Sequence, residues 1–79
     1  MEILYYRPTC PFCLRVLDFV NEKGIELDLR NISGNEAAQA ELVERGGKSQ
    51  VPYLVDEAAG ISMYESADII EYLKEKHGD

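Results

Sequence analysis

The stretch PTCPFC, residues 8–13, contains the only two cysteines of the chain, Cys10 and Cys13. A cysteine pair at this spacing occurs in zinc sites, in structural disulfides and in redox centres. A proline, Pro11, lies between the two cysteines, and it suits the first turn of a helix, where its missing N–H has no partner to lose. The elements around this stretch decide among the three interpretations.

The first third of the chain predicts a strand, a helix and a second strand. Residues 2–6 are rich in β-forming side chains. Residues 11–23 form a helix that ends at Gly24, because apolar side chains recur at helical spacing: Cys13, Val16, Leu17 and Val20. Residues 25–32 alternate apolar and polar side chains, which predicts a strand with one buried face formed by Ile25, Leu27 and Leu29.

The rest of the chain predicts a helix, a hairpin and a last helix. Ser33 and Glu36 have the spacing of a capping box, and the helix they open ends at a pair of glycines, Gly46 and Gly47. Residues 51–56 and 61–64 are strands joined by a short loop, which predicts a hairpin. The last helix is capped by Ser66 and ends at His77 and Gly78.

This order of elements predicts one α/β domain over residues 1–79. The first two strands are joined by a helix and should be parallel, with a right-handed crossover. The last two strands are antiparallel. The result is a four-stranded mixed sheet flanked by three helices, and a CxxC pair at the start of the first helix is typical of a thioredoxin-like redox fold.

Composition and charge exclude several kinds of partner. The net charge of −7 argues against nucleic acid, which requires clustered Lys and Arg side chains. No apolar stretch approaches the roughly 20 residues that span a bilayer. The sequence starts Met1-Glu2-Ile3 without the basic region, long apolar run and cleavage site of a secretory signal, so none is expected. We therefore expect a cytoplasmic protein without membrane association. In that compartment a structural disulfide is disfavoured.

A zinc site is also disfavoured, and no metal is expected. Tetrahedral zinc takes four ligands, whereas Cys10, Cys13 and the single histidine, His77, supply at most three. His77 lies in the last turn of the final helix, where a solvated histidine is the expected state.

The redox interpretation has a direct physical cause. Cys10 lies in the N-cap region of the first helix, where free backbone N–H groups and the helix dipole favour the thiolate. Arg7 adds positive charge from the preceding loop. Cys13 lies one turn deeper and should keep its proton. These positions predict that Cys10 attacks first and Cys13 second.

Two further features could form a ligand site. Pro52 either marks an edge strand or is a cis proline that presents the backbone of Val51 to an extended thiol peptide. Ser66 is an N-cap, but the same helix start could hold a carboxylate. Glu65 beside it could accept an ammonium group, and the two groups together describe a γ-glutamyl end.

Together these features resemble the glutaredoxins over nearly the whole chain. YRPTCPFC and GKSQVPYLV are similar to the two active-site segments of that family, although Phe12 stands where tyrosine is usual and Gln50 where threonine is usual. YESADIIEYL is instead similar to the N-terminal domain of glutathione S-transferases. CPFCLR is also similar to the omega-like and dehydroascorbate-reducing transferases.

The resemblance implies a glutathione-dependent thiol–disulfide oxidoreductase that reduces protein disulfides and glutathione mixed disulfides. Its catalytic residues would be Cys10 and Cys13, and its partners would be glutathione and disulfide-containing or glutathionylated proteins. By the same resemblance Glu65 and Ser66 contact the γ-glutamyl end, and Arg7 and Lys48 lie near the glycine carboxylate. The remaining glutathione-binding residues would be Phe12, Val51 and cis Pro52. A monomer is expected.

Two alternatives stay open. The first is a transferase-like reductase of small electrophiles such as dehydroascorbate. The second is a carrier in which two chains bridge an iron–sulfur cluster through Cys10 and glutathione. In the glutaredoxin family a proline at the position of Pro11 tends to disfavour cluster assembly.

Overall fold

Four strands and three helices make up residues 1–78, the part of the chain that this computed structural model describes. In chain order they are β1 (Ile3–Tyr6), α1 (Pro11–Lys23), β2 (Asp28–Asn31), α2 (Glu36–Gly46), β3 (Tyr53–Asp56), β4 (Ile61–Met63) and α3 (Ser66–His77). The sheet has the order β2-β1-β3-β4, with β1 and β2 parallel and the other neighbours antiparallel. This confirms the predicted thioredoxin-like fold. Each helix within residues 1–78 is too short or too polar to cross a membrane.

The side chains of the two central strands alternate between two apolar layers, as the period of a strand requires. One layer contains α2 and the other contains α1 and α3. The α2 layer buries Ile3, Tyr5, Ile32, Ala38, Leu42, Tyr53 and Val55. The layer of α1 and α3 buries Leu4, Val16, Val20, Leu54, Ile69 and Leu73. Packing on both faces fixes the start of α1 and the start of α3 relative to the sheet.

The second strand is shorter than predicted. Residues 25–27 were expected to pair, but the backbone N–H of Ile25 donates to the carbonyl of Val20 at 2.9 Å and so completes the end of α1. Strand pairing begins only at Asp28. The predicted burial of Leu29 is also wrong, since this side chain is 47% exposed on the edge strand. The other three strands differ from the prediction by one or two residues at their ends.

The predicted start of α2 is wrong. The N-cap is Asn35, and its side-chain oxygen accepts a hydrogen bond of 3.1 Å from the backbone N–H of Ala38. Ser33 instead donates its backbone N–H to the side chain of Asn31 at 2.9 Å. Gly34, with φ of 67°, turns the chain between Ser33 and the helix. Asparagine stabilises a helix N-terminus as well as serine does. The observed cap, Asn35, therefore lies two residues after the predicted one, Ser33.

The start of α3 also differs from the prediction. Glu65 is the N-cap, and Ser66 is the first residue within the helix rather than its cap. The Glu65 side chain makes no capping hydrogen bond. Ser66 is buried, with 6% of its surface exposed. The prediction that Ser66 caps this helix is therefore wrong, although its place at the helix start is correct.

Ion pairs join the last turn of α3 to residues of the sheet region. Lys76 forms ion pairs with Asp56 and, at 3.3 Å, with Glu2. The hydrogen bonds from Lys76 and Tyr72 lower the pKa of Asp56 to about 2. His77 was expected to be solvated, but its Nε2 lies 2.7 Å from the buried carboxylate of Glu2. Within residues 1–78 no three His, Cys, Asp or Glu side chains are grouped as a metal ion would require.

Candidate active site

The two cysteines lie at the start of α1 in different environments. Cys10 is the N-cap, with φ of −87° and ψ of 119°, and Pro11 is the first residue of the helix. The backbone N–H of Cys10 donates to the carbonyl of Arg7 at 3.2 Å, which closes the loop before the helix. Both cysteines are free thiols, Cys10 half-buried and Cys13 fully buried. Sequence reasoning placed both of them correctly.

The electrostatics at Cys10 favour the thiolate. Partial burial acts to raise the pKa of the Cys10 thiol, but hydrogen bonding from the Cys13 backbone and thiol and from the Phe12 backbone outweighs it. The positive charge of Arg7 acts in the same direction, and the pKa of Cys10 is lowered as a result. The side chain forms no regular capping hydrogen bond. The thiolate is therefore stabilised by the oriented N–H groups of the first helical turn.

The pKa of the Cys13 thiol is shifted in the opposite direction, upwards. Burial is the main reason that its pKa is raised to about 11, and the Cys10 sulfur raises it further. The backbone N–H of Arg7 donates to the Cys13 sulfur at 3.5 Å, which partly offsets these effects. Cys10 is thus the more easily ionised thiol of the pair, whereas Cys13 is held protonated in the core.

A cleft of about 440 Å³ lies where the start of α1, the segment before β3 and the start of α3 meet. Five of the predicted glutathione-binding residues line it: Phe12, Val51, Pro52, Glu65 and Ser66. The other residues of its wall were not predicted: Arg15, Gln50, Tyr64 and Ala67. Phe12, at 57% exposed, forms an aromatic wall two residues after Cys10. The cleft is therefore bordered by the helix start that contains Cys10, although neither cysteine is among the residues that line it.

The segment before β3 lines the cleft with backbone as well as side chains. The peptide bond between Val51 and Pro52 is cis, as predicted. Pro52 is buried and Val51 is half-buried against the core beneath α2. Neither belongs to β3, which begins at Tyr53. The peptide groups of this segment are thus outside the sheet and beside the cleft.

Tyr64 holds the loop between α2 and β3. Its hydroxyl donates a hydrogen bond of 3.1 Å to the backbone carbonyl of Lys48, and the Lys48 ammonium lies 4.7 Å from the ring centroid. The ring also packs on Tyr53 at 4.4 Å. A Cβ on Gly46 would lie 1.9 Å from the Tyr64 hydroxyl, so only glycine leaves room for it. The tyrosine therefore joins the wall of the cleft to the loop that leads into Gln50.

Two predicted ligand residues, Arg7 and Lys48, do not line the cleft. Arg7 lies in the loop before Cys10, where its charge acts on the thiol. Lys48 lies against the ring of Tyr64. Arg15 was not among the predicted site residues, yet it follows Phe12 by three residues and so shares its side of the helix.

Comparison with known proteins finds similarity to glutathione S-transferases and to glutaredoxins. Residues 4–79 match the family described as glutathione S-transferase, N-terminal domain. Glutaredoxin 3 from Escherichia coli strain K12 is 33% identical over 58 residues, which are 73% of this chain and 70% of that protein. Glutathione S-transferase D7 from Anopheles gambiae is 33% identical over 78 residues, which are 96% of this chain and 35% of that protein.

Among solved structures, glutaredoxin 2 from Salmonella typhimurium in complex with glutathione is similar with a TM-score of 0.81 and 25% identity. The match covers 100% of this chain and 35% of that chain. The chain thus spans about a third of the length of glutaredoxin 2 and of the transferase.

Proposed function

Because the chain belongs to the glutathione S-transferase N-terminal domain family and has glutaredoxin 3 as a relative, we propose that it is a glutathione-dependent thiol–disulfide oxidoreductase. The observation that carries this proposal is the difference between its two thiols. The pKa of Cys10 is lowered at the helix start, whereas the pKa of Cys13 is raised to about 11 in the core. Such a pair suits sequential thiol exchange, because only a thiolate attacks sulfur.

On a glutathione mixed disulfide the reaction needs only Cys10. Its thiolate attacks the glutathione sulfur, the disulfide bond breaks, and the substrate thiolate leaves and takes a proton from water. Cys10 is then joined to glutathione. The thiolate of a second glutathione attacks the glutathione sulfur of this adduct, which yields glutathione disulfide and restores the Cys10 thiolate. In sum, the mixed disulfide and one free glutathione become the substrate thiol and glutathione disulfide, and the other half of that disulfide is the glutathione that the substrate carried.

On a protein disulfide Cys13 completes the reaction. Cys10 first forms a mixed disulfide with the protein and releases its other sulfur as a thiol. Because Cys10 then has no negative charge, one of the causes that raise the pKa of Cys13 is removed. Cys13 loses its proton to water and attacks the Cys10 sulfur, which releases the second protein thiol. Two glutathiones then reduce the disulfide between Cys10 and Cys13.

The cleft supplies groups that suit glutathione. The Glu65 carboxylate can accept the γ-glutamyl ammonium, and the free N–H groups beside Ser66 can bind its carboxylate. The backbone of Val51, beside Pro52, can pair with the cysteinyl residue as an added strand does. Phe12 gives an apolar surface near the sulfur. The cycle requires abundant reduced glutathione, as in the cytoplasm.

A coupled assay tests this function. The protein is mixed with glutathione, glutathione reductase, NADPH and the mixed disulfide of glutathione with 2-mercaptoethanol. We expect NADPH oxidation that depends on the protein and is lost in Cys10→Ser. If Cys10→Ser oxidises NADPH at the wild-type rate, or if the wild type adds nothing to the uncatalysed rate, the proposal is wrong.

A second candidate is a transferase-like reductase of small electrophiles. The observation that favours it is the transferase-type pair Glu65-Ser66 in the wall of the cleft. The same assay with dehydroascorbate in place of the mixed disulfide distinguishes the two. A higher kcat/KM for dehydroascorbate would favour the second candidate.

A further inference from the structure

The outer side of β2 is an unpaired strand edge. Within residues 1–78 the sheet order is β2-β1-β3-β4, so β2 pairs with β1 alone. The backbone N–H groups of Asp28 and Ile32 donate to the carbonyls of Glu2 and Tyr6 at 2.8 and 3.0 Å. Successive residues of a strand direct their N–H and C=O groups to opposite sides, so those of Leu29 point away from β1. An edge of this kind can pair with another strand.

The side chains of β2 divide between the two faces of the sheet. Arg30 lies over the Tyr5 ring, 5.9 Å from its centroid, on the face that packs against α2. Its guanidinium also forms an ion pair of 2.9 Å with Asp28. Leu29 is on the opposite face, in register with Leu4 of β1, and 47% of its surface is exposed. The strand therefore presents one exposed apolar side chain between two charges of opposite sign.

This order of side chains is complementary to itself in the antiparallel direction. If two copies of β2 pair about a two-fold axis at Leu29, the leucine lies opposite its own copy, and Asp28 lies opposite Arg30 of the second copy. The outward N–H and C=O groups of the two leucines then exchange both of their hydrogen bonds. Arg30 can accommodate the added carboxylate, because a guanidinium has more N–H groups than Asp28 and Glu41 use.

The opposite edge of the sheet lacks this pattern. The edge strand there, β4, is three residues long, Ile61–Met63, and contains no charged side chain. Two copies of β4 would pair without an ion pair between them. Charge complementarity therefore favours β2 over β4 as a surface for a second copy of the chain.

We propose that two copies of this chain associate through β2, with the two strands antiparallel and Leu29 on the two-fold axis. The two sheets then form one continuous sheet, and the monomer expected from the sequence is replaced by a dimer. None of the residues that line the cleft belongs to β2, so both clefts stay open. Because so short an edge buries little surface, the association is weak, with a Kd on the order of 0.1 mM.

Sedimentation equilibrium of the full chain tests this proposal. One chain has a mass of 8.9 kDa, and the average mass should rise towards twice that value. We expect the rise between about 10 µM and 1 mM protein. The net charge of −7 on each copy opposes association, so salt at about 0.15 M is included to screen it. A mass of one chain at every concentration would overturn the proposal.

Variants assign the association to one edge. Leu29→Lys places like charges opposite each other on the axis and should raise the Kd about tenfold or more. The fold should persist, which far-UV circular dichroism checks, because Leu29 is exposed. Ile61→Lys adds the same charge to an exposed residue of β4 and is the matched control. If Leu29→Lys has no effect, or if Ile61→Lys weakens the dimer equally, the assignment to β2 is wrong.

A cysteine at position 29 tests the register. Residues that exchange both hydrogen bonds have Cα atoms about 5.5 Å apart, which is within the range of a disulfide. In a chain with Cys10→Ser and Cys13→Ala, Leu29→Cys should form a disulfide-linked dimer on mild oxidation. Glu26→Cys, at another exposed position, should not. Equal cross-linking of the two variants, or none in either, would contradict the register. Neither experiment uses the two native thiols, so both outcomes are independent of the proposed activity.

Discussion

The Tyr64 hydroxyl donates a hydrogen bond of 3.1 Å to the backbone carbonyl of Lys48, and this bond joins the wall of the cleft to the loop that carries Gln50. The same tyrosine precedes the Glu65-Ser66 pair. One side chain therefore connects the segment that would pair with the cysteinyl residue of a bound thiol peptide to the segment that would hold its γ-glutamyl end.

Tyr64→Phe should loosen that connection. The variant loses the hydrogen bond but keeps the ring, so we expect a loss of about 0.5–1.5 kcal/mol in the free energy of unfolding. The KM for a glutathione mixed disulfide should rise while kcat changes little, because the Cys10 thiolate is stabilised from α1. Tyr6→Phe is the matched control. Equal kinetic changes in both variants would show that Tyr64 has no special role.

Gly46→Ala should disturb the same contact from the other side. The new methyl group would lie 1.9 Å from the Tyr64 hydroxyl and 3.2 Å from Tyr53, so the Tyr64 ring must move. We expect a destabilisation of about 1–3 kcal/mol in urea unfolding. In the double variant with Tyr64→Leu the added cost of the alanine should largely disappear. Additive losses would contradict the clash as the cause.

The two thiols should differ in their pH dependence. Because the pKa of Cys10 is lowered, its alkylation by iodoacetamide should reach half of the maximal rate below the pH of about 8.5 expected for an ordinary thiol. The pKa of Cys13 is raised to about 11, so this thiol should stay unmodified at neutral pH. Peptide mass spectrometry after timed alkylation gives both profiles. A midpoint for Cys10 at or above that of free cysteine would contradict the assignment.

Short sequence patterns predicted those features of the fold that are determined by residues close together in the chain. The start of α1 at Cys10 and the glycine at its end follow from short motifs, whereas the cis bond before Pro52 was predicted from the position of its loop opposite the cysteines and from the resemblance to glutaredoxins. Periodicity and the lengths of the connections were enough for the chain order of the elements, the parallel pair of β1 and β2 and the hairpin of β3 and β4. These features depend on residues that are close in sequence, which is why the sequence alone could reveal them.

The errors arose where neighbouring residues compete for one role or where residues distant in sequence come together. Asn35 caps α2 instead of Ser33 because both can cap and the turn at Gly34 decides between them. Arg15 and Tyr64 belong to the cleft only because three segments meet there, and no local pattern reports that meeting. His77 pairs with Glu2 from the other end of the chain.

Glu65→Gln tests the transferase-like part of the site. The change removes one negative charge and, because the Glu65 side chain makes no capping bond, it should leave α3 intact. We expect a higher KM for the glutathione mixed disulfide through the lost ammonium partner, with the alkylation profile of Cys10 unchanged. Asp68→Gln, in the first turn of the same helix, is the matched control. A KM equal to that of the wild type would mean that Glu65 serves only as the N-cap residue of α3 and does not bind the ligand.

The most direct test of the central claim is the intact mass of the two cysteine variants after incubation with glutathione disulfide. In Cys13→Ser we expect one glutathione joined to Cys10, because the attacking thiolate remains and the buried second thiol is absent. In Cys10→Ser we expect no adduct, since Cys13 is buried and protonated. A glutathione adduct on Cys13 in Cys10→Ser, with Cys10 left free in Cys13→Ser, would contradict the proposed order of attack.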